Sequence, residues 1–299
     1  MTALIGAGKW GVWFGGFDAH PATTLRSTAQ ELERAGWGCL WIPESSGRDA
    51  MVTAAILLEA TSQLTVATGI AQIQARHPLT TVAAQQTLAE ASGGRFLLGL
   101  GVSHAPLVTG ARSLPYDKPL ATMTAYLEAM EQAPYRGPRP AAPSPLVLAA
   151  LGPRMVELAA SHADGAHPYL VTPDHTASAR EMLGPGPLLA PEQTVVIDGD
   201  ARHARDLARR WLSTYLGLPN YARNIVRMGF GESDLSGPSD RLVDALVAHG
   251  DVETVAARCR AHLEAGADHV AIQVLADADR TTIPAEAWSA LATTLDLDT

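Results

Sequence analysis

Cysteine and lysine are scarce in this 299-residue sequence, and each scarcity excludes a class of chemistry. The two cysteines, Cys39 and Cys259, form no Cys-x-x-Cys motif, so neither a disulfide scaffold nor a cysteine-based zinc site is indicated. The two lysines, Lys9 and Lys118, lie away from the predicted carboxyl ends of strands. A barrel lyase or aldolase that forms a Schiff base with lysine is therefore not indicated.

The sequence also lacks a basic patch, a long apolar run and the common metal motifs. Acidic residues outnumber basic ones by 31 to 22, for a net charge of −9, which argues against a nucleic-acid partner. No stretch reaches the roughly 18 apolar residues of a membrane span, and the N-terminus lacks the apolar core of a signal peptide. Neither a His-x-His pair on the first strand nor an HExxH motif occurs, so no metal is predicted. We therefore expect a cytoplasmic protein that binds neither nucleic acid nor membrane.

Residues 64–104 show the clearest pattern in the chain. The run from Leu64 to Ala71 is short, apolar and uncharged, as is typical of a strand that is covered on both faces. Pro78 suits the first turn of a helix, and Gly93-Gly94 end that helix before a second apolar run, Phe96 to Leu100. Such a unit predicts two parallel strands joined by a right-handed crossover.

Similar strand–helix units repeat at intervals of roughly 30 residues in the first part of the chain. The predicted strands are 11–15, 39–42, 64–71, 96–100, 145–150, 164–169, 194–197 and 269–274. Residues 217–250 fit no repeat, so we interpret them as an insertion near the mouth of the barrel, serving as a lid or a dimer element. Since no linker marks a domain boundary, we predict one α/β domain over residues 1–299, a (β/α)8 TIM barrel with insertions.

An ordered set of motifs makes the sequence resemble a known family. These motifs are LWIPES, TGI, RHP, GRFLLGLG, GVSHAPLV, PYLVTPDH, GPGPLLAPEQ and GLPNYARN. With them the chain resembles the luciferase-like flavin and deazaflavin oxidoreductases, most closely their coenzyme F420-dependent branch, over nearly its whole length. The resemblance implies a homodimeric TIM-barrel enzyme that transfers a hydride between reduced F420 and an unknown small organic substrate. An FMN-dependent monooxygenase and a non-catalytic flavin or deazaflavin binder remain alternatives.

The resemblance also implies a set of cofactor-binding residues at the carboxyl ends of the strands. The set is Glu44, Gly69, Ile70, Ala71, Arg76, Gly101, Ser103, His104, Gly152, Pro153 and Arg154. The Gly152-Pro153-Arg154 turn opens a predicted helix, whose N-terminus attracts anions such as a cofactor phosphate, although a plain helix cap is the alternative. Arg76 either faces the cofactor or anchors its loop. Further candidates near the mouth are Asp18, His20, His167, Tyr169 and His175.

Three of these positions leave alternatives open. The Gly69–Ile70 bond aligns with a non-proline cis peptide of the relatives, but an ordinary trans bond would also explain a closely packed glycine. His104 occupies a place where many relatives carry glutamate, so it either lines the pocket or acts as a catalytic proton donor. Many relatives have an Asp-His pair where this chain has Glu44-Ser45, and Glu44 either faces the pocket or is a solvated loop carboxylate.

Overall fold

The computed structural model describes residues 8–277 and 281–297, so both ends of the predicted 1–299 domain lie outside the described residues. The strands are β1 (Trp10–Trp13), β2 (Cys39–Ile42), β3 (Thr65–Thr68), β4 (Ala71–Gln72), β5 (Phe96–Gly101), β6 (Leu146–Leu148), β7 (Gly165–Ala166), β8 (Leu188–Leu189), β9 (Glu192–Ile197), β10 (Val247–Gly250) and β11 (Val270–Val274). The helices are α1 (Ala22–Arg34), α2 (Ala50–Glu59), α3 (Pro78–Ala91), α4 (Pro119–Glu131), α5 (Pro153–His162), α6 (Pro173–Leu183), α7 (Ala201–Leu216), α8 (Pro219–Arg227), α9 (Glu232–Leu235), α10 (Asp240–Leu246), α11 (Val252–Glu264) and α12 (Ala285–Thr294). None of the described helices is both long and apolar enough to cross a membrane.

The strands form a closed ring in which every neighbouring pair is parallel. Starting from β11, the order is β11, β1, β2, β3, β5, β6, β7 and β8, with β4 continuing β3 alongside β5. β8 and β9 are two parts of one run of chain, because the amide of Glu192 still donates to the carbonyl of Pro168 after β7 (2.8 Å). β9 then pairs with β11, so this run joins the two ends of the sheet. The predicted eight-stranded TIM barrel is confirmed.

Alternation along the strands separates two apolar cores, since successive side chains point to opposite faces. In β2, Leu40 and Ile42 pack in the outer core between the ring and its helices. Cys39 and Trp41 belong instead to the inner core, which fills the ring and extends to α7, α8 and α10. The inner core therefore continues into the insertion on one side of the barrel.

Local signals place the helices close to where the sequence predicts them. The carboxylate of Asp49 accepts hydrogen bonds from the amides of Met51 and Val52 (2.8 and 3.0 Å) and so caps α2. Pro78 occupies the first turn of α3. Gly36 has a φ of +79° just after α1, a conformation that favours glycine at a helix end.

The structure corrects three predicted strands. The third is divided into β3 and β4 at Gly69–Ile70. The sixth, predicted at 164–169, is reduced to Gly165–Ala166, because Pro168 offers no amide to the ladder. The seventh begins at Leu188 rather than at 194, since its first part lies in a Pro/Gly-rich segment that the sequence indicates to be a loop.

The predicted insertion, 217–250, forms helices α8, α9 and α10 and the strand β10. β10 lies outside the ring, beside β9, with Val247 opposite Thr194 and Gly250 opposite Ile197. The insertion is therefore attached to the strand that closes the barrel.

Candidate active site

The peptide bond between Gly69 and Ile70 is cis, the form that the resemblance implies. The carbonyl of Gly69 accepts a hydrogen bond from Trp13 Nε1 (3.0 Å). A Cβ atom on Gly69 would lie 2.8 Å from Trp13 Nε1 and 3.0 Å from His167 Nε2, and one on Gly101 would lie 2.5 Å from Ile70 Cδ1. A side chain larger than glycine at either position would therefore force Trp13, His167 or Ile70 to move.

Below this bond, an aromatic pair fills the top of the barrel interior. The rings of Trp41 and His167 are stacked, with centroids 4.2 Å apart and planes 9° apart. His167 Nδ1 lies 2.6 Å from the carbonyl of Ala190 and must donate to it, so Nε2 is left as an acceptor with no partner among the described residues. Burial lowers the pKa of His167 to about 4, which keeps this imidazole neutral at pH 7.

His104 follows β5 in a loop that the sequence places at the mouth. Ser103 precedes it with a φ of 57°, and the Ser103 hydroxyl is buried without a described partner. His104 Nδ1 lies 3.3 Å from Asn220 Oδ1 of α8, and the His104 ring packs against Tyr221 with centroids 5.4 Å apart. Burial lowers the pKa of His104, and the hydrogen bond to Asn220 opposes that effect. This residue is therefore a mainly neutral imidazole at the edge of the mouth at pH 7.

A group of tyrosines forms a wall beside Trp13, whose ring centroid lies 5.3 Å from that of Tyr169. The hydroxyl of Tyr169 donates to Gln273 Oε1 (2.7 Å) and lies 3.0 Å from the hydroxyl of Tyr215. Tyr221 packs edge-on against Tyr215, with centroids 5.1 Å apart. Burial raises the pKa of Tyr169 and Tyr221 well above the usual value, so both remain protonated and able to donate.

A buried carboxyl lies behind this wall. Glu192 accepts hydrogen bonds from the hydroxyl of Thr194 and from the amide of Leu170 (3.2 Å). Burial raises the pKa of Glu192 to about 8, so the carboxyl is largely protonated at pH 7.

The helix α8 crosses the mouth of the barrel. At its start, Asn220 contacts His104 in the loop after β5. At its end, the guanidinium of Arg227 lies 3.1 Å from the position of a Cβ on Gly152, and Met228 Sδ accepts from the hydroxyl of Thr172 (3.8 Å). The insertion therefore contacts the loops that follow β5, β6 and β7.

Glu44 and Arg76 bind each other in a buried ion pair. Arg76 donates to both carboxylate oxygens of Glu44 and also to Asp49, and the side chains of Arg76 and Glu44 are only 7% and 4% exposed. Glu44 also accepts from the amide of Gln72 (2.7 Å). Of the two roles predicted for Arg76, this geometry matches the loop anchor, and Glu44 is buried rather than solvated.

The other predicted site residues lie at different depths. Ala71 is fully buried in the outer core. Gly152 and Pro153 form the start of α5, and Arg154 is exposed in its first turn without a described partner, so the amides and the guanidinium there can meet an anion. Asp18 and His20 contribute to loops instead: Asp18 accepts from the amide of Arg48 (2.8 Å), and His20 Nε2 lies 2.6 Å from the carbonyl of Thr281.

Buried polar atoms without a partner gather around this mouth. Among the described residues they include Gln74 Oε1, Ser103 Oγ, His167 Nε2, His175 Nδ1, and both Oδ1 and Nδ2 of Asn224. Because buried polar groups in native proteins are nearly always bonded, these atoms mark positions where a ligand or ordered water would bind. The donors and acceptors, set among aromatic rings, fit a flat heteroaromatic cofactor with polar edges. No group of three or more His, Cys, Asp or Glu side chains within the described ranges could hold a metal ion.

Sequence reasoning missed Trp13, Trp41, Asn220, Tyr221 and Asn224 as site residues. The two tryptophans are indistinguishable from core residues in sequence. The other three lie in the motif GLPNYARN, which contributed to the resemblance and places the polar side chains of Tyr221 and Asn224 on the buried face of α8. That polarity at the buried face is the signal that could have found them.

Comparisons with known proteins bear on the family of this chain. The family model described as luciferase-like monooxygenase matches residues 11–269. A Mycobacterium tuberculosis protein, whose provisional name is coenzyme F420-dependent oxidoreductase, is 26% identical, and the match covers 83% of this chain and 89% of that protein.

Two solved structures share the fold at low sequence identity. The coenzyme F420-dependent tetrahydromethanopterin reductase of Methanopyrus kandleri is 18% identical, with a TM-score of 0.73 over 95% of this chain and 97% of that one. An FMN-bound type II Baeyer–Villiger monooxygenase component from Pseudomonas putida is 15% identical, with a TM-score of 0.69 over 98% of each chain. Because the family model matches most of the sequence, the chain belongs to the luciferase-like monooxygenase family.

Proposed function

We propose that this protein is an F420-dependent oxidoreductase that transfers a hydride between the reduced deazaflavin and a small organic substrate. The observation that carries the proposal is the cluster of unpartnered polar atoms at a barrel mouth walled by aromatic rings. The name of the Mycobacterium tuberculosis relative supports F420 in particular.

Different residues at the mouth would bind different parts of the cofactor. The cis Gly69–Ile70 segment, with Gly101 beside it, would form one wall of the ring site. Ser103 would offer its unpartnered hydroxyl to a polar edge of the ring. The start of α5, Gly152-Pro153-Arg154, would hold the negatively charged tail of the cofactor through its amides and the Arg154 guanidinium.

Ala71, Glu44 and Arg76 would act indirectly at this site. Their packing and hydrogen bonds fix the loop that follows the cis bond. The predicted cofactor contacts of these three residues stay proposals, with the loop backbone as the contacting part.

The chemistry at the mouth would require a hydride donor and a proton donor. Reduced F420 supplies a hydride from a carbon of its central ring. His104 would bind the substrate at its edge of the mouth, take up a proton from solvent at Nε2 and pass that proton to the substrate, while the Nδ1–H bond to Asn220 fixes the orientation of the ring. The helix α8 and the tyrosine wall would exclude water from that side.

Cofactor titrations test this proposal. The purified protein is titrated separately with F420 and with FMN, and binding is followed by cofactor fluorescence. We expect saturable binding of F420 that is at least tenfold tighter than that of FMN. Tight binding of FMN with none of F420 would contradict the proposal and favour the monooxygenase alternative, which the FMN-bound neighbour supports. Binding of F420 without turnover on any carbonyl or electron-poor alkene would favour a non-catalytic binder.

We also propose that the protein is a cytoplasmic homodimer that pairs through α2 and α3. α2 is apolar around most of its circumference, and Val52 on α2 and Leu79 on α3 are 60% and 46% exposed. A groove of about 270 Å³ between the two helices is lined by Ala55, Leu58, Leu88 and Ala91 together with Glu59 and Ser92. Light scattering on the wild type and on Val52→Lys tests the dimer: we expect twice the chain mass for the first and a monomer for the second.

A further inference from the structure

Asparagine occurs only at Asn220 and Asn224 in the 299-residue sequence, and both lie on α8. Side chains four residues apart in an α-helix project from the same face. Asn220 uses this face to contact His104. Asn224 therefore projects toward the same opening, one turn further along the helix.

The carboxamide of Asn224 is enclosed but unbonded. The residue is 2% exposed, and neither Oδ1 nor Nδ2 has a hydrogen-bond partner among the described residues. Its backbone carbonyl is satisfied by the amide of Met228 (3.0 Å), so the helix itself is intact. A buried donor and a buried acceptor without partners destabilise a fold. We therefore explain the unbonded carboxamide of Asn224 by a hydrogen-bonding partner that binds from outside the chain.

The neighbours of Asn224 on α8 locate its side chain. One turn earlier, Tyr221 packs against His104 after β5 and against Tyr169 after β7. One turn later, Met228 contacts Thr172, which also follows β7. The carboxamide therefore lies at the mouth, between the loops where the proposed ligand would be held.

We propose that Asn224 binds an amide-like edge, an N–H donor beside a C=O acceptor, on the molecule that occupies the mouth. A carboxamide matches such an edge with two hydrogen bonds: Oδ1 accepts from the N–H, and Nδ2 donates to the C=O. This edge occurs on the pyrimidinedione of flavins and deazaflavins and on substrates that are lactams or imides. The inference rests on the proposed function in taking the mouth as the ligand site.

The first test compares two buried amides in the protein without ligand. Gln193 is 1% exposed and fully bonded: its Nε2 donates to the carbonyls of Thr194 and Leu246, and its Oε1 lies 2.9 Å from His262 Nε2. We expect Gln193→Leu to lower the melting temperature and Asn224→Leu to leave it unchanged or raise it. A fall in Asn224→Leu as large as that in Gln193→Leu shows that this amide is already satisfied and overturns the proposal.

The second test identifies the source of the edge. F420 and FMN are titrated into the wild type and Asn224→Leu, and a cofactor affinity at least tenfold lower in the variant assigns the edge to the cofactor. Where cofactor affinity is unchanged, the loaded proteins are titrated with succinimide and with N-methylsuccinimide, which lacks the N–H. A preference of at least tenfold for succinimide in the wild type, lost in Asn224→Leu, assigns the edge to the substrate.

Equal results for wild type and Asn224→Leu in both titrations overturn the proposal. A wild type that binds neither cofactor contradicts the proposed function instead. In that case the succinimide titration on the unloaded proteins still decides the role of Asn224: a preference lost in the variant supports it, and no difference overturns it.

Discussion

The two sides of the barrel mouth differ in whether their polar side chains are hydrogen-bonded within the protein. On the side of β2 to β4, Glu44, Asp49, Gln72 and Arg76 are bonded to one another, and Gln74 Oε1 is the exception there without a described partner. On the side of β5 to β7 and α8, polar atoms of Ser103, His167, His175 and Asn224 have no described partner. We call these the bonded side and the open side. The difference teaches that charge at a strand end does not by itself mark a binding group, because the open side offers mostly neutral donors and acceptors.

The largest expected effect comes from a variant that disrupts the ion pair on the bonded side. Arg76→Met leaves the carboxylate of Glu44 buried without its cation, and removal of one partner of a buried ion pair typically costs about 3–5 kcal/mol of unfolding free energy. Urea denaturation measures this loss. The double variant Glu44→Gln/Arg76→Met serves as the control and should recover much of it, since no buried charge remains. A loss in Arg76→Met below about 1 kcal/mol would contradict this account of the bonded side.

The next effect concerns activity at the open side. His104→Gln keeps the size and polarity of the side chain but cannot supply a proton, so we expect the turnover number to fall by about 10²-fold or more. Cofactor affinity should change little. The measurement is hydride transfer from reduced F420 to a carbonyl or alkene that the wild type accepts, with His162→Gln on the exposed end of α5 as control. An unchanged rate removes His104 from the mechanism.

Glu192 predicts how stability changes with pH. Its pKa in the folded protein is raised to about 8 by burial, above the value of 4.5 expected when it is exposed. The folded state therefore holds a proton that the unfolded state releases between these two values, so this contribution to stability is complete below pH 4.5 and is lost as the pH rises toward 8. Glu192→Gln should remove this loss of stability, which is on the order of a few kcal/mol, from urea unfolding measured between pH 5 and 8. Parallel slopes for both proteins would refute it.

The smallest expected effect sharpens the link between α8 and the open side. Asn220→Asp places a carboxylate beside His104 Nδ1, which favours the imidazolium, so the pKa of His104, lowered by burial in the wild type, should rise. NMR titration of the imidazole resonances measures it in the protein without ligand. The resonances of His175, which has a different partner, the carbonyl of Leu151, act as the internal control. No shift in His104 would show that α8 does not set its environment.

The ring of strands could be predicted from sequence because its signals are local. Apolar runs, helix-starting prolines and helix-ending glycines such as Gly36 lie next to the elements they define. The predicted positions of strand ends are less accurate where proline interrupts the hydrogen bonding between strands, as at Pro168 and before β9. The register of such segments depends on distant partners, which no local pattern encodes.

The site could be predicted only in part for a related reason. The loops that hold Gly69 and His104 follow strands, so their positions at the mouth come from chain order. Chain order does not reveal which charged groups remain available to a ligand. Glu44, for example, is paired with Arg76, which is 32 positions away in sequence. The pairing of His104 with Asn220, 116 positions away, likewise required the folded structure.

The pairing of β10 with β9 has a consequence for how this chain can diversify. α7 leaves the ring directly after β9, and β10 brings the chain back beside that same strand. The segment from α7 to β10 therefore both begins and ends beside the single strand β9. Under the proposed function, we expect mutations in this segment to alter substrate preference while the registers of the remaining strands stay unchanged.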